Sequence, residues 1–286
     1  MGAMMFTTLL KDARLFQIVF LGSFLIIGVL LRDFSVQLTQ VGLVFFTALL
    51  TQRFWIHRLG IAHVGYLSAI VTCFGLSILV RADNLWVHPL LAILAISSKF
   101  ALRIDNNHVF NPANLAAVLA AYVMPGAWLS PGQWGQSWML AAWFFVLGTI
   151  VTTKARRIDI GLVFLLAFAA LLTARVLYLG QNPLIIWHQM QNGVLLLFAF
   201  FMISDPMTTP RHAKVRIAFA FAVAMLAFTW QFYFFKPHGP VLALFLLSFL
   251  VPWLNRIAPA EKFQWRSVPL QQPLQSNLMK SVSIAA

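Results

Sequence analysis

Two short polar segments interrupt an otherwise apolar chain, and each carries side chains that could bind a ligand. The first, HVFNPAN, places an asparagine directly before a proline. The second, SDPMTTP, joins an acid, two prolines and two threonines at the end of an apolar run. The candidate ligand-binding residues in these segments are His108, Asn111, Pro112, Asn114, Asp205, Pro206, Thr208 and Thr209.

The Asn111-Pro112 pair predicts the start of a helix. An asparagine oxygen can accept a hydrogen bond from a free first-turn amide, and proline loses nothing at the first helical position. The same helix terminus carries free amides and a partial positive charge, so it could hold a phosphate, a carboxylate or a flavin carbonyl. Asn114 lies one turn further on and His108 just outside, so capping and ligand binding are both open.

Asp205-Pro206 can likewise be a helix cap followed by a first-turn proline. Two threonines come next, and then four basic or titratable residues, which would suit a phosphate or another anion at the cytoplasmic face. The alternative interpretation is that the basic residues only mark the cytoplasmic side of the membrane and that the other residues form a turn. The four residues are Arg211, His212, Lys214 and Arg216.

The titratable residues give no catalytic or metal centre. The single cysteine, Cys73, lies in an apolar run and can form no internal disulfide or cysteine-based metal site. All seven histidines and all seven acids lie near the ends of apolar runs or between them, which disfavours a membrane haem and a buried carboxylate relay. We therefore predict no metal and no self-contained catalytic site.

Composition predicts a protein embedded in lipid. The chain has 286 residues, of which 61% are hydrophobic and 9% charged, whereas soluble domains carry about 25% charged residues. A net charge of +13 could suggest nucleic acid, but the basic residues lie singly or in small groups between apolar runs rather than on one soluble face. We expect a lipid bilayer as the partner and no nucleic acid.

The apolar runs predict an all-α membrane protein of about ten transmembrane helices. With the N-terminus inside, most of the 20 Lys and Arg residues fall in inner loops, as the positive-inside rule requires. This places both termini in the cytoplasm, with a polar tail at residues 259–286. The predicted spans are residues 15–31, 36–50, 65–80, 85–102, 112–124, 138–153, 158–179, 192–204, 215–235 and 240–254.

The spans suggest two inverted five-helix repeats, at residues 1–130 and 131–258. In each half an acid follows the third span and a proline opens the fifth. Because five is odd, the second half must be inverted relative to the first, and ligand sites of inverted repeats lie at their interface. The fifth and eighth spans are too short to cross the hydrocarbon alone, so their polar ends must face a protein-lined space.

Several segments resemble one membrane family, which comprises the RnfD component of Rnf electron transport complexes and the NqrB component of the sodium-pumping NADH:quinone oxidoreductase. The segments are KFALRIDNNHVFNPANLAAV, FMISDPMTTP and KARRIDIG, together with the ten-span inverted repeat. KDARLFQIVFLGSF, TALLTQ, LWVHPLLAILAISSKF and WLSPGQWG resemble its stand-alone branch, known as UnbU-like enediyne biosynthesis proteins.

This resemblance implies a flavin-binding subunit that passes electrons within a bacterial inner membrane, with a separate redox partner and in some members coupled cation transport. Energy-coupling members attach FMN to a threonine in the outer loop between spans five and six. Here that loop, residues 125–137, contains no threonine. The expected cofactor is therefore a non-covalent flavin, either FMN or riboflavin. A secondary transporter of a small molecule or ion and a membrane scaffold subunit are the alternative functions.

Overall fold

The computed structural model describes residues 12–31, 36–61, 64–105, 107–130 and 138–263. Most of the predicted polar tail and residues 131–137 of the threonine-free loop lie outside these described residues. The residues Ala13–Phe263 cluster as one compact unit. Their core is a layer of apolar side chains between packed helices.

The described residues of the first half contain five helices, one in each predicted span. Gly60 ends α2 in the left-handed conformation, with φ 65°, and its amide bonds to the carbonyl of His57. This Gly-terminated end lies beyond the predicted limit of the second span at residue 50, because the helix continues through a polar segment that hydropathy alone excludes. The helices are α1 (Ala13–Leu31), α2 (Leu38–Leu59), α3 (Leu67–Leu79), α4 (Val87–Ala101) and α5 (Pro112–Tyr122).

Two short antiparallel strand pairs flank these helices. Strand β1 (Val80–Ala82) follows α3 and pairs with β4 (Ala127–Leu129), which follows α5. Strands β2 (Arg103–Ile104) and β3 (Asn107–His108) form a hairpin between α4 and α5. The hairpin leads directly into the start of α5. The β1–β4 pair holds the segment that follows the end of α5.

Helices in the second half are more often interrupted. A π-helix at Phe198–Met202 continues directly from α9, so the predicted eighth span is irregular along its length. The predicted tenth span divides into α11 and α12 with a 52° bend. Sequence analysis missed α8. The elements are α6 (Trp138–Lys154), α7 (Ile158–Tyr178), α8 (Leu184–Met190), α9 (Gly193–Leu197), α10 (Ala213–Phe232), α11 (Gly239–Ser248) and α12 (Val251–Ile257).

Among the described residues, three helices are long and apolar enough to cross a membrane unaided: α1, α7 and α10. Two bent pairs, α8 with α9 and its π-helix and α11 with α12, raise the number to five. Several other helices are apolar but short, between 10 and 17 residues. Exposed apolar side chains such as Val19, Leu30 and Leu166 cover the long helices and fit contact with lipid.

Three helix contacts of the first half have counterparts in the second half. In the first half α2 packs on α4, α1 on α3, and α4 on α5. In the second, α7 packs on α10, α6 on α9 and the π-helix, and α10 on α11. Between the halves α5 packs on α11, where the rings of Phe110 and Phe245 stack at 4.9 Å, and α1 packs on α6.

Candidate functional site

The start of α5 has the predicted capping geometry. Asn111 is extended, with φ −65° and ψ 124°, and its side-chain oxygen accepts a hydrogen bond from the amide of Asn114 at 3.1 Å. Pro112 occupies the first turn, where a missing amide hydrogen costs nothing. The cap uses only the oxygen of Asn111, so its NH₂ group is left to bond elsewhere.

Asp205 does not cap a helix, and that interpretation of Asp205-Pro206 was wrong. The next helix, α10, begins at Ala213, and residues 205–209 form a tight turn instead. Within it the Asp205 carboxylate accepts from the amide of Met207 at 3.0 Å, and the Thr209 hydroxyl donates to the Asp205 carbonyl at 2.8 Å. Asp followed by Pro can close a turn on its own backbone, which competes with helix initiation.

The two segments predicted separately meet in one junction. The NH₂ group of Asn111 donates to Asp205 Oδ2 at 3.0 Å, across 94 positions of the chain. His108 Nε2 lies 3.7 Å from the same oxygen. We call this contact between residues 108–114 and 204–209 the turn junction. It joins the end of the interrupted eighth span to the start of the short fifth span.

The charge of Asp205 is stabilised within the turn junction. Burial alone would raise the pKa of its carboxyl group. The hydrogen bond and charge of His108, the Met207 amide and the Asn111 amide outweigh burial, so the pKa of Asp205 lies below its ordinary value of 3.8. The junction therefore contains a carboxylate rather than a carboxylic acid at neutral pH.

Two buried oxygens at the turn junction have no hydrogen-bond partner among the described residues. Asn114 is 1% exposed; its NH₂ group donates to the carbonyl of Val241 in α11 at 3.1 Å, and its oxygen is unpartnered. Thr208 is also 1% exposed, and its hydroxyl is unpartnered. Buried polar atoms are nearly always hydrogen-bonded, so each of these two oxygens is a candidate ligand contact.

Among the basic residues after the second turn, Arg216 is already paired with an acid. Arg216 Nε donates to Asp159 Oδ2 of α7 at 2.8 Å, and its Nη1 donates to the Arg211 carbonyl at 3.0 Å. Its charge is therefore matched by an acid. The backbone amide of Arg211 bonds to Asn255 at 2.9 Å, which fastens the segment to α12. The anion interpretation, as it concerned Arg216, is wrong.

Sequence reasoning missed a buried lysine near the junction. Lys99 in α4 is 9% exposed, and its ammonium group donates to Ser68 Oγ at 2.8 Å and to Gln52 Oε1 at 3.5 Å. Lys99 lies at the end of a predicted span, where a basic residue usually marks the cytoplasmic side of the membrane. The only sequence signal for its burial is Gln52, an unusual polar residue within an apolar run.

A small cleft borders the junction on the side of the β2–β3 hairpin. It encloses about 20 Å³, enough for one water molecule. Its lining includes Asp105, His108, Met207 and Arg211. Within the part of the chain that the structure describes, no three His, Cys, Asp or Glu side chains gather as a metal site would require.

A bundle of apolar helices with interrupted spans around a buried polar junction defines an integral membrane protein. The sequence pattern of the NQR2, RnfD, RnfE family matches residues 43–264, well over half of the chain. The protein belongs to this family. The matched region contains the whole turn junction and Lys99. No curated protein sequence matches the chain significantly.

Proposed function

We propose that the protein is a membrane subunit of an RnfD- or NqrB-like electron transport system, of the stand-alone UnbU-like branch, and works with a separate redox partner. Family membership supports this class of function. The proposed ligand site is the turn junction, because Asn114 and Thr208 each have a buried oxygen there with no hydrogen-bond partner among the described residues. These atoms lie between the two halves of the chain, where ligand sites of inverted repeats occur.

The proposed architecture is ten transmembrane helices in two inverted repeats, at residues 1–130 and 131–258, with both termini in the cytoplasm of a bacterial cell. The three corresponding helix contacts in the two halves support the repeat. So do the contacts between corresponding helices, α5 with α11 and α1 with α6, which a twofold axis between the halves would produce.

Cysteine labelling in intact cells tests this topology. In a Cys73→Ala background, single cysteines replace the exposed residues Asn84, His57 and Glu261. A membrane-impermeant maleimide should label the cysteine at position 84 in intact cells, and those at 57 and 261 only after permeabilisation. Labelling of positions 57 and 84 from the same side would refute the predicted crossing of α3.

The proposed cofactor is a non-covalent flavin, FMN or riboflavin, which when bound supplies one- and two-electron transfer. The oxygen of Asn114 and the hydroxyl of Thr208 fit the polar edge of such a ring, which offers both a donor and acceptors. His108 and Asn111 would border it. Covalent attachment in the loop at residues 125–137 is not supported, because that loop has no threonine.

Flavin binding would have to move the turns, because Asn114 and Thr208 are each 1% exposed and the cleft beside them is small. A cleft of about 20 Å³ takes a water molecule and not a ring system. Entry would therefore require the 108–114 and 204–209 segments to separate, with loss of the Asn111–Asp205 hydrogen bond. On this proposal Asp205 and Pro206 act as a gate, and Asn114 and Thr208 as ligand contacts.

Flavin content of the purified protein tests the cofactor. We expect flavin absorbance and fluorescence in wild-type protein, and loss of most of it in Asn114→Ala and Thr208→Val. Thr173→Val is the matched control, because the Thr173 hydroxyl already bonds to its own helix at Ala169. A flavin-free wild-type protein with intact fold, or equal flavin in all variants, would count against the proposal.

Secondary transport of a small molecule or ion is a second candidate, favoured by the corresponding helix contacts and the interrupted eighth and tenth spans. In proteoliposomes, sodium or proton flux that is lost in Asp205→Ala and kept in Asp83→Ala would support it. Equal flux in both variants and in wild type would exclude the turn junction from any transport path. A scaffold role predicts instead that substitutions at both turns affect only assembly.

A further inference from the structure

The turn after α3 buries a positive charge with no acidic partner among the described residues. Arg81 is 5% exposed, and its guanidinium group bonds to neutral backbone oxygens. Nη1 donates to the carbonyls of Ser77 at 2.9 Å, Ile78 at 3.2 Å and Val80 at 2.9 Å. Asp83, two residues further on, is exposed and forms no ion pair with it. The three carbonyls at the end of α3 offset part of this charge, but a buried charge without a counterion is still costly, so an anion would stabilise it.

Three buried polar atoms around this turn lack a partner within the same described region. They are Arg81 Nε, Ser77 Oγ and His88 Nδ1. Ser77 is 3% exposed and His88 is 1% exposed. The side chains share one segment of backbone, since Arg81 bonds to the carbonyls of Ser77 and Val80, and His88 Nε2 lies 3.4 Å from the Val80 carbonyl.

The donors and acceptors of these three atoms specify a ligand. Arg81 Nε and the Ser77 hydroxyl can each donate a hydrogen bond. His88 Nε2 donates to the Val80 carbonyl, because a carbonyl only accepts, so Nδ1 of the neutral ring is an acceptor. The cluster therefore suits a monoanion with bare oxygens that accept and one O–H group that donates.

We propose that Ser77, Arg81 and His88 form a binding site for a protonated oxyanion such as dihydrogen phosphate, a site separate from the turn junction. Arg81 neutralises the charge, Ser77 donates to a second oxygen, and His88 accepts from the anion's O–H group. The exposed turn Asp83–Trp86 joins Arg81 to His88, so the site lies next to the aqueous edge of the bundle. On the proposed topology that edge faces the outside of the cell.

Thermal unfolding followed by tryptophan fluorescence tests the site, with delipidated full-length protein in a phosphate-free maltoside detergent. Inorganic phosphate, at a pH where the dihydrogen form predominates, is titrated against chloride at equal ionic strength. We expect a saturable rise of the unfolding midpoint in wild type. Arg81→Gln should abolish it, and Ser77→Ala should weaken half-saturation about tenfold, the effect of one hydrogen bond to a charged group.

Two controls keep the result decisive. Arg175→Gln removes an arginine that bonds to a neutral side chain, Gln181, and it should leave the phosphate response unchanged. In a parallel titration, short-chain phosphatidic acid replaces inorganic phosphate. If the unfolding midpoint responds to phosphatidic acid alone, the bound phosphate belongs to a lipid. If it responds to both compounds, the bound phosphate is a free anion. Either response supports the site if Arg81→Gln and Ser77→Ala impair it.

Three results would overturn the proposal. The first is an equal phosphate response in wild type, Arg81→Gln and Ser77→Ala. The second is a wild-type response no greater than that to chloride. The third is a phosphate response that Arg175→Gln impairs as much as Arg81→Gln does, because it would show an effect of arginine charge in general. If Arg81→Gln fails to fold, the comparison of wild type with Ser77→Ala still tests the site, because Ser77→Ala removes only a single oxygen.

Discussion

The side-chain amide of Asn111 donates to the carboxylate of Asp205 at 3.0 Å and so ties the start of α5 to the turn that ends the interrupted eighth span. The same asparagine caps α5 through its oxygen. One side chain thus sets the beginning of a helix and its attachment to the other half of the chain. Loss of either partner should therefore loosen both the helix start and the turn.

Asp205→Asn should destabilise the junction. The substitution removes the charge that accepts from Asn111 and Met207 and lies 3.7 Å from His108, and a hydrogen bond to a charged group contributes about 1.5–3 kcal/mol. We expect a lower thermal midpoint and faster proteolysis between α9 and α10. Asp83→Asn is the matched control, since Asp83 is an exposed acid in the corresponding turn. Equal midpoints for the two variants would contradict a structural role for the tie.

Acid should remove the contribution of Asp205. Its pKa in the folded protein lies below 3.8, so the unfolded chain takes up a proton at a higher pH than the folded one. The stabilisation is therefore complete above pH 3.8 and disappears as the pH falls through the folded value. The difference in thermal midpoint between wild type and Asp205→Asn, measured from pH 6 downward, should be constant at first and then shrink. A difference that grows with acid would contradict this assignment.

The ion pair between Arg216 and Asp159 should show strong coupling. Asp159→Asn leaves the buried Arg216 charge unpaired, which costs about 3 kcal/mol. The double variant Asp159→Asn with Arg216→Met should recover much of that loss, because it removes both charges. Unfolding of the single and double variants measures the coupling free energy.

The exposed pair Arg256–Asp105 provides the comparison for this double-mutant cycle. Its side chains are 66% and 49% exposed, so water already solvates both charges. The corresponding cycle at Arg256 and Asp105 should give no measurable coupling. Similar coupling free energies for the two pairs would mean that burial does not decide the strength of the Arg216–Asp159 contact.

Gly161→Ala should disturb the interrupted eighth span. A Cβ at this position of α7 would lie 2.6 Å from the carbonyl oxygen of Ala199 in the π-helix, so the two elements would have to move apart. Such overpacking costs about 1–3 kcal/mol. Gly42→Ala in α2 is the control, because nothing lies within 4 Å of its added Cβ. It should be neutral or slightly stabilising through helix propensity, and the thermal midpoints of both variants measure the contrast.

Capping and hydropathy predicted the elements well because both act over a few neighbouring residues. The start of α5 at Asn111-Pro112 was predicted from the sequence, and so were helices for all ten spans. The missed features have longer-range causes. Helix α2 continues to Leu59 through polar residues. Asp205 closes its own turn on Met207, and its carboxylate also accepts from Asn111, 94 positions away in the chain.

The sequence alone determined that the protein lies in a membrane, because 9% charged residues cannot solvate the surface of a chain of this size. It also identified both polar segments, since each interrupts an apolar run with residues that break or start helices. Only the tertiary structure decided that the segments meet, that Arg216 pairs with Asp159, and that Lys99 and Arg81 are buried. Those facts depend on contacts between residues far apart in the chain, which only the packing of the helices brings together.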